Sequence, residues 1–258
     1  MTIHHDGLSF DWLGYATARL SVENGPTVYA DPGRYGVLTG EWQADSQAAA
    51  DAHPPGQDYR AEDGDVVVVT HDHHYDSDGV RRVAADDATV LVYEAVDAER
   101  IRKRGREVEP PEALPYEVVR VGYDETVEAA GVTADVLPSY NLPDGRWGDV
   151  RDGEPLHPQG FGCGYVVSMD GHRWCWTGDP DVLDHHHDLE VSLFSPPIGA
   201  FTMDRQEAAA LAGSIRPELV VPIHYNTFDA LESDSGAFAS DVAKRGIPVA
   251  LDETAPAT

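Results

Sequence analysis

The chain predicts an α/β fold in one large domain, and three observations carry that prediction. Short apolar, β-branched runs alternate with short stretches of helical spacing through the first half. The run Asp65-Val66-Val67-Val68-Val69 reads as a fully buried strand and leads through a polar turn into a helix. At 258 residues with 41% hydrophobic content, the chain can bury a sizeable core as one unit over 1–258, built of two αβ halves near 1–135 and 136–258.

Taken in order, residues 8–20 alternate apolar and polar well enough for one or two strands. Thr27-Val28-Tyr29-Ala30 gives another, stopped by the turn Asp31-Pro32-Gly33. Residues 33–63 hold Pro, Gly, Ala and acids with no clear strand. A loop of that length is expected to wall a functional mouth, with Arg34, Tyr35, Glu41 and Trp42 its main contact residues. After the strand at 65–69, residues 79–85 have helical spacing, with Ser77 or Asp78 as N-cap. Strand 89–93, helix 97–104 and strands near 116–121, 126–130 and 132–137 follow. A second loop runs from 138 to 160. The hairpin over 161–177 turns at Asp170-Gly171, which pairs Cys175 with Val166 and leaves Cys163 on the other face, so no disulfide joins the two cysteines. Residues 191–197 read as a buried strand, 203–215 as a helix capped by Thr202, and 218–224 as a strand. A helix at 236–245 and a strand at 247–251 close the chain.

The formal charge of −28, from 46 acids against 18 Lys and Arg, is spread along the chain, and no local basic patch stands out. That argues against a nucleic-acid partner. Such self-repulsion is screened by concentrated salt, so a halophilic setting is expected. With no apolar run near 20 residues and no signal-peptide pattern, the expectation is a cytoplasmic protein without a membrane partner.

The chemistry concentrates in Thr70-His71-Asp72-His73-His74-Tyr75-Asp76-Ser77-Asp78-Gly79. His71 and His73 are two apart, so in extended backbone both rings project to one side, as ligands of one metal would. Three imidazoles at one strand end would repel on protonation unless a cation holds them. His224 likewise emerges at the end of a buried strand. The tract Asp184-His185-His186-His187-Asp188 is read instead as a solvated loop, and His4, His5, His53 and His172 as turn or terminal residues.

Thr70-His71-Asp72-His73 with Asp78-Gly79 resembles the T-H-x-H-x-D-H-x-D-G motif of the metallo-β-lactamase superfamily, in the ascorbate-6-phosphate-lactonase-like (UlaG-like) branch. Aligned without a gap, the motif's aspartate falls on Tyr75 and its last histidine on Asp76. A one-residue slip puts Asp76 on the aspartate and Ser77 on the histidine. Trp12-Leu13-Gly14-Tyr15-Ala16 resembles W-L-G-H-A, with Tyr15 for histidine, and Tyr29-Ala30-Asp31-Pro32 resembles I-D-P. Pro138-Ser139-Tyr140-Asn141 resembles P-A-Y-N, and the segment from His157 to Tyr165 resembles H-P-K-G-x-G-x-G-Y. Gly178-Asp179-Pro180-Asp181 resembles G-D-T-D, and Val220-Val221-Pro222-Ile223-His224-Tyr225-Asn226-Thr227-Phe228 resembles V-V-P-I-H-Y-G-T-F.

The resemblance implies a four-layer αββα sandwich and a metal-dependent hydrolase. It implies metal ligands among His71, His73, Asp76, Asp179 and His224, with His157 and His74 as further candidates. Asp76, Asp179 and His224 would serve catalysis, and Asp31 and Tyr15 would support the site from behind. Tyr140, Asn141, His157, Tyr225 and Asn226 would contact substrate. The donors suit one or two Zn²⁺ or Mn²⁺ ions, with Fe²⁺ also compatible. A metal-bound hydroxide would attack an ester, lactone or phosphoester of a small, anionic-leaning metabolite clamped by Arg34, Arg146 or Arg151. The alternative is a relative with an altered motif that binds metal or ligand without turnover. A homo-oligomer is left open.

Overall fold

The computed structural model describes residues 1–150 and 153–253. Strands β1 (Ile3–His5), β2 (Leu8–Gly14), β3 (Thr17–Val22) and β4 (Thr27–Ala30) form an antiparallel meander; β2, β3 and β4 fall where the sequence pattern put strands, and β1 adds one over His4 and His5, which were read as terminal. A short helix α1 (Gln47–Ala52) interrupts the long loop that follows, where the sequence suggested none. Then β5 (Gly64–Val69), helix α2 (Ser77–Val83), β6 (Ala84–Tyr93), helix α3 (Ala98–Lys103) and β7 (Glu117–Val121) extend the same sheet in parallel. All seven strands lie in chain order. The second sheet starts at β8 (Thr126–Ala129), a little before the division expected near residue 135. It adds β9 (Val132–Ser139), β10 (Gly162–Met169) and β11 (His172–Trp176) antiparallel. Strands β12 (Leu193–Ser195) and β13 (Leu219–Val220) then pair in parallel on β11. Helices α4 (Arg205–Ile215) and α5 (Ser235–Ala243) pack on each other beside this sheet.

Between the sheets lies a continuous core. Phe10 of β2 meets Trp174 of β11 edge-to-face at 6.0 Å, and the buried Tyr165 of β10 donates to the carbonyl of Val69 at the end of β5. With helices outside both sheets, this is the αββα layering that the motif order implies. Val166 pairs with Cys175 as the hairpin count predicts, and both cysteines are free thiols. Three expectations shift. The α4 cap is Asp204 rather than Thr202, in a reciprocal capping box with Glu207. The α2 cap is Asp76 rather than Ser77 or Asp78. The final strand is reduced to one bridge between Val220 and Val249. Among the described residues, no helix is long and apolar enough to cross a membrane.

Two glycines set the approach of the layers. A Cβ at Gly79 would lie 2.1 Å from the carbonyl oxygen of Pro32, so only glycine lets α2 start against the turn after β4. A Cβ at Gly162 would lie 2.9 Å from that of His71. There the second sheet is stitched to the first by a bridge between His71 and Gly162 and by the amide of Cys163 on the Thr70 carbonyl. Consequently the carboxyl ends of β4, β5, β11 and β13 open on one edge, the usual place for a site in such a sheet.

Candidate metal centre

The residues that follow those strand ends converge on one carboxylate oxygen. Oδ2 of Asp179, just after β11, lies 3.5 Å from Nε2 of His71, 3.3 Å from Nε2 of His74, 3.6 Å from Nε2 of His157 and 3.4 Å from Nε2 of His224. All five side chains are buried. His73, partly exposed, joins from one side with Nδ1 3.1 Å from Nε2 of His157. Donor atoms of His71, His73 and His157 lie within 4.8 Å of one another, as do those of His71, His74 and Asp179.

An outer set of hydrogen bonds decides which nitrogen of each ring faces inward. Thr70 Oγ1 gives its proton to Oδ2 of Asp31 at 2.8 Å, so it accepts from Nδ1 of His71, also at 2.8 Å. His74 donates Nδ1–H to the same Asp31 oxygen at 2.9 Å. Asp31 also receives the amide of Thr70 and the indole N–H of Trp176, which holds its carboxylate in place from the second sheet. His157 donates Nδ1–H to Oδ1 of Asn141 at 3.0 Å. The Asn141 amide is oriented by its own bonds, accepting from the His157 amide and donating to Asp181 and to the Phe201 carbonyl. In His71, His74 and His157 the proton therefore sits on Nδ1 and the Nε2 lone pair points at the cluster, the arrangement in which imidazole ligates metal.

The donor set fits a divalent cation. Nε2 of His71, His74 and His224 and Oδ1 of Asp179 are buried with no hydrogen-bond partner among the described residues. Leaving such an atom unmet costs about 1–3 kcal/mol, so four together mark a place for a ligand. Electrostatics agree. Burial alone would raise the Asp179 carboxyl, but His224 and His74 outweigh it and hold it well below the usual range. Burial pushes His224 down to about 4 and His157 down to about 3, which keeps both neutral and able to donate lone pairs. For His74, burial is overcome by Asp179 and Asp31, which push it up to about 9. A cation at Nε2 would take the place of that proton.

Backbone strain gathers here as well. Tyr15, Asp31, Arg34, Tyr35 and His224 all have left-handed φ between 46° and 60°. At about 1–3 kcal/mol each, such conformations persist where surrounding contacts over-determine them, as at sites. The amide of His224 donates to the carbonyl of Tyr15, which fixes the two strained residues against each other. Tyr15 packs edge-on to His74 and at 4.7 Å from the His224 ring, and its hydroxyl has no hydrogen-bond partner among the described residues. Above the cluster opens a cavity of about 370 Å³. Tyr15, Arg34, Tyr35, the donors His73, His157, Asp179 and His224, and the nonpolar Leu156, Phe201 and Phe228 are among its lining.

Other sequence candidates have different tasks. Asp76 caps α2 through the amides of Asp78 and Gly79 and takes the amide of Arg34, so its oxygens are committed outside the cluster. Tyr75 is buried and donates to the carbonyl of Glu109. His74, one place before Tyr75 and two before Asp76, meets Asp179 instead of the carboxylate that either register expected. The turn makes this possible, because the amides of His74 and Tyr75 both fold back onto the His71 carbonyl. Asn141 positions His157 rather than lining the cavity. Tyr225 stacks on Trp12 at 4.6 Å and donates to Glu253, and Asn226 closes its own loop onto Ser233. The carbonyl of Tyr140 accepts the Asp181 amide, and its side chain does not line the cavity. Arg146 pairs with Asp204 in a separate cleft. Arg151 lies outside the described residues. Two histidines read as incidental are structural. His53 is buried and accepts the Tyr15 amide at 2.7 Å, and His186 is fully buried. Thr70 and Trp176 were missed, since both depend on their bonds to Asp31, which leave Thr70 accepting from His71 and which no local pattern announces.

Solved structures share the fold. An isothiocyanate hydrolase from Delia radicum gut bacteria aligns with a TM-score of 0.64 at 18% identity over 96% of this chain and 98% of its own. The metallo hydrolase Igni18 from Ignicoccus hospitalis aligns at 0.61 and 18% identity over 97% and 96%. In sequence, a UPF0173 metal-dependent hydrolase of Methanopyrus kandleri is 30% identical over 247 residues, 92% of this chain and 93% of its own. One from Archaeoglobus fulgidus is 26% identical over 255 residues, 94% of each. The model of the β-lactamase superfamily domain matches residues 9–224. With its strand-end histidines gathered on one buried aspartate, the chain belongs to the β-lactamase superfamily, among the UPF0173 metal-dependent hydrolases.

Proposed function

We propose that this protein hydrolyses an ester, lactone or phosphoester bond of a small metabolite at a divalent-cation centre. The observation that carries the reading is the ring of four Nε2 atoms at 3.3–3.6 Å around Oδ2 of Asp179, with three lone pairs turned inward by Thr70, Asp31 and Asn141. His71, His73 and His157 would hold one cation and His74 and His224 a second, with Asp179 between them. Five imidazoles and one carboxylate favour Zn²⁺, and Mn²⁺ or Fe²⁺ are compatible. When bound, the cation would supply Lewis acidity and lower the pKa of the attacking water to about 7.

The chain's own groups do the rest. Oδ1 of Asp179 orients an O–H of the attacking water. Burial keeps the Tyr15 phenol protonated, its pKa raised well above the ordinary value, so it donates to the oxygen on which charge develops. Leu156, Phe201 and Phe228 exclude water from the reacting bond. The segment from His157 to Tyr165 supports placement in the lactonase-like branch. The charge of −28 supports a salt-rich cytoplasm, a small-molecule substrate and no nucleic-acid partner. Raising KCl from about 0.1 M to about 1 M, where the Debye length falls to about 3 Å, should raise the melting temperature.

The test is metal analysis of the purified chain with turnover of a panel of neutral and anionic esters, lactones and phosphodiesters. Chelation should abolish turnover, and Zn²⁺ or Mn²⁺ should restore it. Stoichiometric metal with no turnover of any panel member would instead support the reading that the chain binds metal or ligand without catalysis.

A further inference from the structure

We infer that a second pocket beside the histidine cluster receives an oxyanion, a phosphate or carboxylate carried by the substrate. This pocket, about 440 Å³, is lined by Arg34, Asp72, His73, Ile101, Arg104 and Arg106. It shares Arg34 and His73 with the cavity over the metal centre, so the two spaces adjoin across those side chains. Three guanidinium groups from two distant segments meet in a chain of 46 acids and only 18 basic residues. In such a chain an arginine ordinarily finds a carboxylate, as Arg19, Arg82, Arg100, Arg120 and Arg205 do.

Arg34 and Arg106 form no ion pair with a carboxylate among the described residues. Backbone carbonyls hold them instead: Arg34 donates to that of His73, and Arg106 to those of Asp72, at 2.9 Å, and Tyr75. Carbonyls fix a guanidinium without neutralising it. Arg104 reaches the same place, with Nη1 3.3 Å from Nε2 of His73. The pocket's one lining carboxylate, Asp72, is taken by Arg100 and by the amide of Asp97. Holding the guanidinium groups of Arg34 and Arg106 on carbonyls, with no carboxylate ion pair among the described residues, is costly. An oxyanion relieves that cost, and planar guanidinium forks match carboxylate and phosphate oxygens in pairs. Such a substrate would set its anionic end among the arginines, its scissile bond over Asp179 and its nonpolar part against Phe201 and Phe228. Assignment of the anion to the substrate rests on the hydrolase reading, whereas the pocket's affinity for an anion does not.

The experiment is calorimetric titration of the full chain, metal-free after chelation and exchange, with inorganic phosphate in one arm and acetate in the other, at low ionic strength. Wild type should bind one of them saturably, and the arm that binds names the substrate's charged group. Arg104→Gln should weaken that binding about ten-fold or more, as expected for loss of a charged hydrogen-bond donor. Arg106→Gln should weaken it too, and if that variant fails to fold, Arg104→Gln decides alone. Saturable binding of neither anion, or binding undiminished in Arg104→Gln, overturns the pocket. The two readings fail separately. Turnover of neutral esters without anion binding removes the pocket alone, and anion binding without turnover of any panel member removes the hydrolase alone.

Discussion

The chain has two dense histidine stretches, residues 71–74 and 185–187, and they fold to different tasks. In the first, Nδ1 of His71 and His74 donates outward to Thr70 and Asp31, leaving lone pairs on Nε2 directed at Asp179. In the second, His186 is just as buried, but its Nδ1 accepts the amide of Leu183 at 3.1 Å, so the proton must sit on Nε2. His185 packs against it at 4.4 Å, and no carboxylate among the described residues ion-pairs with either ring. Composition is alike. What differs is the group behind each ring, and that group decides whether an imidazole offers a lone pair or holds a short turn closed.

Removing ligands should have the largest effect. His71→Ala and Asp179→Ala should lose bound metal and reduce turnover by more than about 100-fold, beyond the loss typical of outer partners, measured by metal analysis and kcat/KM. Next come the outer groups. Asp31→Asn and Asn141→Ala leave every ligand in place and should weaken metal affinity by about 10–100-fold in chelator competition. If they do not, the contrast between the stretches is not one of proton placement.

The second stretch should behave conversely. His186→Gln should leave metal content unchanged and lower stability by about 1–3 kcal/mol in denaturant unfolding. Burial pushes His186 down to about 3 from an ordinary value of 6.5. Between those values the unfolded chain binds the extra proton, so its stabilising share is complete above pH 6.5 and is lost as pH falls toward 3. The stability profile of His186→Gln across that window should be the flatter one. Smallest of all, Asp76→Ala should cost about 1 kcal/mol through loss of the α2 cap, with metal content intact. Loss of metal in that variant would return Asp76 to the centre.

Much of this was legible in the chain. Runs such as residues 65–69 and 218–224, and the hairpin turning at Asp170-Gly171, are local patterns, and their elements lie close to the expected places. His71, Asp179 and His224 could be marked because each directly follows a buried strand. Asp76 could not be judged that way. A carboxylate one residue before a helix serves equally as a cap or a ligand, and only the fold of the turn chose between them. The arginine pocket escaped notice although Arg100, Arg102, Lys103, Arg104 and Arg106 form a dense basic run. Whether such a run is solvated or turned inward depends on where Arg34 arrives from.

From the residues alone came the α/β class and the strand ends that carry donors, because periodicity and turn chemistry act over a few neighbours; the four layers came through the resemblance of the ordered motifs to a family. Tertiary structure alone decided that His74 rather than Asp76 faces Asp179, that Asn141 serves His157, and that three arginines share a pocket. Each of those depends on the direction of a hydrogen bond or a charge between segments far apart in sequence. Such directions exist only once the two sheets have packed.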